Sequence, residues 1–486
     1  MEEITIDYSK KWLVMLSVAC GVFLSTLDGS IVNIALNTLV IEMDKPLAVV
    51  EWVVLAYMLT IATLMLSVGR LADMIGKKRI YLAGLAIFTL GSGLCGLSPD
   101  VYWLIGFRVL QAVGASMVMA LGTAIVTEAF PSNERGKAMG IMGLMVSIGI
   151  IAGPTIGGIL LQSLSWHWLF YVNLPVGVIG VILVAVFVPY RRPQHKQRFD
   201  FAGAGTLFAC MALLLLSLSI IQLEGFSNPT AYILFAAGAG MLVWFIRIEQ
   251  RAEQPMIDLK MFTNRMFTIN LVTGCLTFIA GAGTTLLMPF FLQNVLGYDP
   301  QKTGLMLIVA PMAIAIMAPL SGALSDRMGS RLITTIGLTI TAFGYILVSG
   351  ISATTSAWEY ILRYLPIGIG LGIFQSPNNS AVMGSAPKER LGVASGLLAL
   401  TRVIGQMTGI AILGAVYNTI VLQQSGGIVA EGNVQAPIPA QMAGLHAALL
   451  FAVIVLLASL GFSVWALIQV TRAKKAQRAS ITSNIE

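Results

Sequence analysis

The chain has 486 residues, 57% of them hydrophobic and only 10% charged, with a net charge of +7 and a mean hydropathy of +0.85. This balance excludes an ordinary soluble domain, where about a quarter of the residues are charged. The basic residues are spread over eight separate segments, which argues against a nucleic-acid surface.

The apolar residues come in blocks of about 20, the length of helix that crosses a hydrocarbon layer ~30 Å thick. In lipid the backbone must satisfy its own hydrogen bonds, so the blocks are predicted to be helices. Fourteen spans are expected, near 12–36, 49–69, 79–98, 102–127, 137–161, 169–189, 202–222, 230–249, 267–296, 302–324, 331–351, 357–380, 391–421 and 444–470. The first block is full length and lacks a small-residue cleavage site, so it reads as a signal anchor.

Span 1 carries Asp28, ~24 Å from its start at ~1.5 Å per residue. The loop after span 2 reads Gly69-Arg-Leu-Ala-Asp73-Met-Ile-Gly76, followed by Lys77, Lys78 and Arg79. Its glycines suit a tight turn, and Asp73 can pair with the basic cluster or with nearby helix ends. Glu128, near the end of span 4, is a further partner. The loop serves either as a topology signal and anchor or as a gate whose pairs form in one conformation and break in another.

Arg108 lies ~9 Å into span 4 from the opposite end, at a depth similar to that of Asp28, so the two can meet. Charges inside a membrane are costly and usually functional. A carboxylate holds a proton in an apolar cleft and releases it beside an arginine. Movement between those settings can couple proton uptake to a conformational change; the alternative is a purely structural ion pair. In span 5, Gly149, Gly153 and Gly157 form one stripe, with Pro154 and Gly158 beside it. They serve either tight packing or a close sliding contact between halves.

Gln375 and Asn378 in span 12, and Arg402 and Gln406 in span 13, can line a cavity or hydrogen-bond helix to helix, and Gln111 in span 4 is a further cavity-lining candidate. Arg363 in span 12 is expected to snorkel to the surface. Cys20, Cys95, Cys210 and Cys275 follow no metal-ligand spacing and read as small buried hydrophobes. Of the 29 basic residues, 24 fall in loops and tails on one side of the spans, which places both termini in the cytoplasm.

The chain repeats itself. Gly69–Gly76 recurs as Gly322-Ala-Leu-Ser-Asp326-Arg-Met-Gly329 at an offset of 253. Trp103 and Arg108 recur as Trp358 and Arg363, and Glu134-Arg135 as Glu389-Arg390, both at an offset of 255. The organisation is therefore two six-helix bundles, residues 1–190 and 266–471, with two extra helices in 191–265 and a cytoplasmic tail over 472–486. Such repeats build transporters that rock around a central site. Span 9, the counterpart of span 1, has no acidic residue in its apolar body, so proton coupling belongs to the N-terminal half.

These residues carry a family resemblance. Gly69–Arg79 resembles the signature loop of the major facilitator superfamily, and Arg108-Val-Leu-Gln111 resembles its arginine motif, with Ala112 where glycine is usual. Gly149-xxx-Gly153-Pro154-xx-Gly157-Gly158 resembles the antiporter motif. Leu27-Asp28-Gly-Ser-Ile31-Val32-Asn33 and Trp166-His-Trp168-Leu-Phe170-Tyr-Val-Asn173-Leu-Pro175 resemble the fourteen-helix drug:proton antiporter branch. The resemblance implies an all-α integral membrane protein that exports lipophilic, in some cases cationic, compounds in exchange for protons. It further implies gating by Gly69, Asp73, Gly76, Lys77, Arg79, Glu128 and Asp326. The expected partners are a small-molecule substrate, protons and the lipid bilayer of a bacterial plasma membrane. The proton gradient is the energy source, with no cofactor, no metal and no nucleic acid, and the protein is expected to be a monomer. No nucleotide loop or catalytic triad is present, so it is not expected to be an enzyme. A transporter of one metabolite, lipid or siderophore is the rival; a non-transporting sensor or scaffold is more remote.

Overall fold

A computed structural model describes residues 10–131, 134–190, 200–224, 228–252, 255, 257, 259–385, 391–425 and 436–483. Within them the apolar blocks are helices: α1 (Lys11–Glu42), α2 (Leu47–Val50), α3 (Trp52–Ile75), α4 (Lys77–Gly96), α5 (Val101–Ala129), α6 (Arg135–Ser163), α7 (Trp168–Tyr171), α8 (Asn173–Phe187) and α9 (Phe201–Glu224). They continue as α10 (Pro229–Arg251), α11 (Arg265–Phe290), α12 (Pro300–Leu307), α13 (Val309–Met328), α14 (Ser330–Ser349), α15 (Ala357–Ser385), α16 (Leu391–Gln424) and α17 (Ile438–Ser483). No strand occurs among the described residues.

Thirteen helices among the described residues are long and apolar enough to cross a membrane. The expected twelfth span is α15, 29 residues long, which does not meet that apolar measure. Gln375, Ser376, Asn378, Asn379 and Ser380 make its second half polar. It is nevertheless held as a core helix, packed between α13 and α14.

Several helix ends follow from local chemistry. Asp100 caps α5 by accepting from the backbone N–H groups of Tyr102 and Trp103 at 2.8 and 3.0 Å. Asp299 caps α12 in the same way through Lys302 N–H at 2.7 Å, with Pro300 at the first helical position. Gly76 and Gly329 end α3 and α13 with φ of +108° and +90°, a region open mainly to glycine. After Pro289, α11 opens into a π-helical turn over Phe291–Val295, the kind of local widening that often marks a functional segment.

The helices gather into two compact units. The first comprises Met1–Met256, Thr285–Ile308 and Ile410–Gly444; the second comprises Ile257–Thr284, Val309–Gly409 and Leu445–Glu486. In the first unit α1 lies against α6 and α8, α5 packs on both α3 and α4, α9 pairs with α10, and α12 sits on α6. In the second, α15 packs on both α13 and α14. The segments Thr285–Ile308 and Ile410–Gly444 belong in sequence to the second repeat yet cluster with the first unit.

The internal repeat extends to backbone packing. A Cβ on Gly114 would lie 2.5 Å from the Gly84 carbonyl oxygen and 2.4 Å from Phe88 N, so α4 and α5 cross in backbone contact. Gly337 and Gly370 make the same crossing between α14 and α15: a Cβ on Gly370 would lie 2.7 Å from Gly337 O, and one on Gly337 2.6 Å from Phe374 N. Each crossing requires glycine because a side chain would meet main chain, which cannot swing aside.

Candidate functional site

The first unit buries an ion pair. Asp28 on α1 and Arg108 on α5 are 0% and 1% exposed, with Arg108 Nη1 2.5 Å from Asp28 Oδ2. A buried pair needs its remaining polar atoms satisfied, and here they are met from several helices. Gln111 Nε2 donates to Asp28 Oδ1 at 2.8 Å, and Asn173 Nδ2 at the start of α8 donates to the same oxygen at 3.1 Å. Arg108 Nε donates to the Val53 carbonyl at 3.0 Å and Nη1 to Gln111 Oε1 at 2.8 Å. The guanidinium lies over the Tyr57 ring, 3.9 Å from its centroid. Asn173 also donates to Ser92 Oγ at 3.0 Å, which in turn donates to the Phe170 carbonyl at 2.9 Å. Five helical elements thus fix one carboxylate.

Gln111 needs a correction. The sequence reading put it on a cavity wall; the structure buries it at 0% exposure inside the ion-pair network. It lies three residues after Arg108, on the same helix face, so the guanidinium claims it. Asn173 and Tyr57 were given no role in the sequence reading. Asn173 stands in the tryptophan-rich segment quoted for the family resemblance, which was its only signal. Tyr57 had none.

The glycine stripe of α6 packs mainly on α1. Cβ atoms at Gly149, Gly153 and Gly157 would meet Thr26, Ser30 and Ile31 or Ile34 at 2.1, 1.9 and 2.8 Å respectively. Two backbone contacts reach instead to α12, the start of the tenth span. A Cβ on Gly158 would lie 2.5 Å from the Pro300 carbonyl oxygen, and one on Gly304 2.2 Å from the Pro154 carbonyl oxygen. The stripe is therefore divided: three glycines seat α1, while Gly158 and Pro154 meet the second repeat. Close by, Asn37 Nδ2 donates to Gln293 Oε1 at 2.7 Å and Asn294 Oδ1 at 3.0 Å on the π-helical turn. Glu51, 1% exposed, lies against Gly414, whose Cβ would be 2.6 Å from Glu51 Oε1. The sequence reading left Glu51 out because it falls at the edge of an apolar block.

At the basic end, Lys77 forms an ion pair with Glu128. Lys78 Nζ donates to the Ala185 carbonyl at 2.8 Å, and the Arg79 guanidinium lies 4.7 Å from the Tyr190 ring centroid. Gly69 has open space around its Cα, so its place in the motif is not explained by packing. The side chains of Asp73 and Asp326 lie outside the described residues, as do the basic residues of 191–198 and residues 426–435 of the 423–442 loop. Arg363 reaches back toward the start of α15 and the end of α14, the nearer surface. Its Nη2 is 2.5 Å from Glu359 Oε1 and its Nη1 donates to the carbonyls of Gly350 and Leu347, which places it as a cap on the end of α14.

In the second unit, Arg402 of α16 lies over Phe278 of α11, 5.3 Å from the ring centroid. Asn378 of α15 is 2% exposed and sits against Gly274 of α11, its Nδ2 3.2 Å from where a Cβ would be. Gln375 and Gln406 are half-buried on the same helices as Asn378 and Arg402.

Sequence comparison sets these features among known proteins. Residues 18–410 match the family profile of the Major Facilitator Superfamily. The chain is 36% identical over 411 residues to the riboflavin transporter RibZ of Clostridioides difficile, covering 84% of this chain and 88% of that one. It is 35% identical over 412 residues to the multidrug resistance protein Stp of Mycobacterium tuberculosis, covering 83% and 75%. To the multidrug transporter protein MdtP of Bacillus subtilis it is 31% identical over 424 residues, covering 87% and 77%. A crystal structure of a bacterial homologue of the human lysosomal transporter Spinster shares the fold, with a TM-score of 0.67 at 17% identity over 94% of this chain and 96% of that one. The chain belongs to the major facilitator superfamily; it is a multi-pass membrane transporter and not an enzyme.

Proposed function

We propose that this transporter of the major facilitator superfamily exports lipophilic compounds in exchange for protons, with Asp28 as the proton carrier. The observation that carries the reading is the buried, fully ligated Asp28–Arg108 pair. Arg108, Gln111 and Asn173 all donate to this one carboxylate. A shift of α1 against α5 that withdraws Asp28 from Arg108 leaves it in low dielectric, where it takes up a proton. Breaking a buried pair costs about 3–5 kcal/mol; protonation removes the carboxylate's share of that cost, while Arg108 keeps its contacts to the Val53 carbonyl, Gln111 and the Tyr57 ring. One charge crossing ~150 mV releases about 3.5 kcal/mol, which is on the scale of that switch.

In this reading the basic loops face the cytoplasm of a plasma membrane and the 423–442 loop lies outside. The division of the glycine motif supports alternating access, because α6 meets α12 through main chain that cannot deform gradually. The multidrug relatives support a broad range of lipophilic substrates. A second reading, transport of one defined compound, is favoured by the riboflavin transporter relative. A resistance screen in a pump-deficient host separates the two, since broad export protects against many unrelated compounds. Proton exchange is tested on purified protein in weakly buffered solution. Substrate should release protons from the wild type and none from Asp28→Asn; equal release from both removes Asp28 as the carrier.

A further inference from the structure

Arg402 is an unusual charge to leave in a membrane helix. It lies in the body of the Gly396–Gln424 span and makes no hydrogen bond or ion pair to any described residue. Its Nε is buried without a partner. Arginine cannot shed its charge, so an uncompensated guanidinium inside a span is expensive, and a ring face returns only part of that cost. A structural arginine would be tied to a carboxylate or to carbonyls, as Arg108 and Arg363 are. Arg402 lacks both.

A second orphan lies against the same stretch of α11. Asn378 is 98% buried, yet its Oδ1 accepts no hydrogen bond. It sits against Gly274, while Arg402 sits over Phe278, and Gly405, one turn beyond Arg402, packs on Cys275 O and Phe278. Gly274 and Phe278 are four residues apart and share one helix face. An unpaired cationic donor and an unpaired neutral acceptor are therefore presented about one helical turn apart beside an aromatic ring. Buried polar groups are almost always satisfied, so two such orphans on one face are best explained by a ligand that satisfies both.

We infer that Arg402, Asn378 and Phe278 form a substrate subsite for aromatic compounds bearing an anionic or carbonyl acceptor, with an N–H or O–H donor as an added contact. Arg402 donates to the acceptor, Asn378 Oδ1 receives the donor, and Phe278 lies beside the aromatic body. The favoured substrates are thus acidic or neutral and acceptor-rich rather than cationic. This inference rests on the transporter reading but not on proton coupling, and its test uses no gradient.

The test is equilibrium binding to purified protein in lipid nanodiscs, with empty nanodiscs as the blank. Three probes share one ring body: 2-naphthoate, 2-naphthamide and 2-naphthylmethylammonium. The wild type should bind the carboxylate best and the ammonium worst. Arg402→Gln should weaken 2-naphthoate about 10–100-fold and leave the ammonium within about 2-fold. Arg402→Lys, which keeps the charge but loses the fork, should retain the order of preference at lower affinity. Asn378→Leu should weaken the carboxamide by about 5-fold or more and spare the carboxylate. The inference is overturned if the wild type binds none of the probes or ranks the ammonium first, or if Arg402→Gln leaves 2-naphthoate unchanged. Equal loss of all three probes in both Arg402 variants would mark the residue as structural and overturn it too. Failure of proton coupling would show instead in Asp28→Asn, with binding of these probes intact.

Discussion

Gly304→Ala tests the contact between α6 and α12. The new methyl would sit 2.2 Å from the Pro154 carbonyl oxygen and 3.1 Å from its carbon, both main-chain atoms. Ordinary contact needs ~3.5 Å, so the helices must separate by about 1 Å. The reciprocal contact, Gly158 on Pro300 O, and the Asn37 bonds to Gln293 and Asn294 would loosen with it. Overpacking of this kind costs ~1–3 kcal/mol, which shifts a two-state equilibrium by about 5–150-fold. Ile34, 1% exposed and 3.4 Å from the same methyl position, reports the opening. In a background without native cysteines, Ile34→Cys should react slowly with a membrane-impermeant maleimide. Adding Gly304→Ala should speed that reaction at least about 5-fold and lower transport, in line with the same shift. Gly240→Ala, at a position with open space around it, should change neither. An unchanged labelling rate in Gly304→Ala, with the protein present in the membrane at normal amount, would refute the argument that this close approach defines one state of the cycle.

Other expectations follow from the same structure. Asn173→Leu removes a donor shared by Asp28 Oδ1 and Ser92 Oγ, so proton-driven export should fall by about 5-fold or more with substrate binding retained; unchanged export would dissociate Asn173 from the proton step. Lys77→Gln and Glu128→Gln should each slow transport, and the double variant should be no worse than either, whereas the pair should contribute only about 0.2–1 kcal/mol to stability because both side chains are about a third exposed. Additive effects of the two on transport would show that they act separately. For orientation, a cysteine at Gly432 should react with an impermeant label on intact cells and one at Gln194 should not; the reverse pattern would invert the topology.

Much of the architecture could be read from the sequence because a bilayer leaves few choices. Long apolar blocks have to be helices, and depth along a helix is simple arithmetic, so Asp28 and Arg108 could be placed at one level before any packing was known. The repeat was legible through Gly76 and Gly329, whose backbone conformation restricts the residue. The span at α15 was legible despite its polar second half, which a helix held between neighbours tolerates and a lipid-facing one does not. What stayed hidden was partnership. Which donors close around Asp28 depends on how α5 and α8 rotate, and period alone does not give that. The same holds for Gln111, drawn inward by Arg108, and for the partners of Arg363, which reaches toward the surface but caps α14 there. The glycine stripe was visible as a stripe, but its division between α1 and α12 is a matter of tertiary packing.

The central claim is that Asp28 couples the proton gradient to export, and its most direct test is uphill transport. Wild-type protein and Asp28→Asn are reconstituted in proteoliposomes, a pH gradient is imposed, and substrate movement against its own gradient is followed. Asparagine keeps the size of the side chain and accepts from Arg108 but cannot carry a proton. The wild type should accumulate substrate uphill, and Asp28→Asn should show only downhill exchange with substrate binding retained. Uphill accumulation by Asp28→Asn at the wild-type rate would contradict it and turn attention to Glu51, a second buried carboxylate of the first unit.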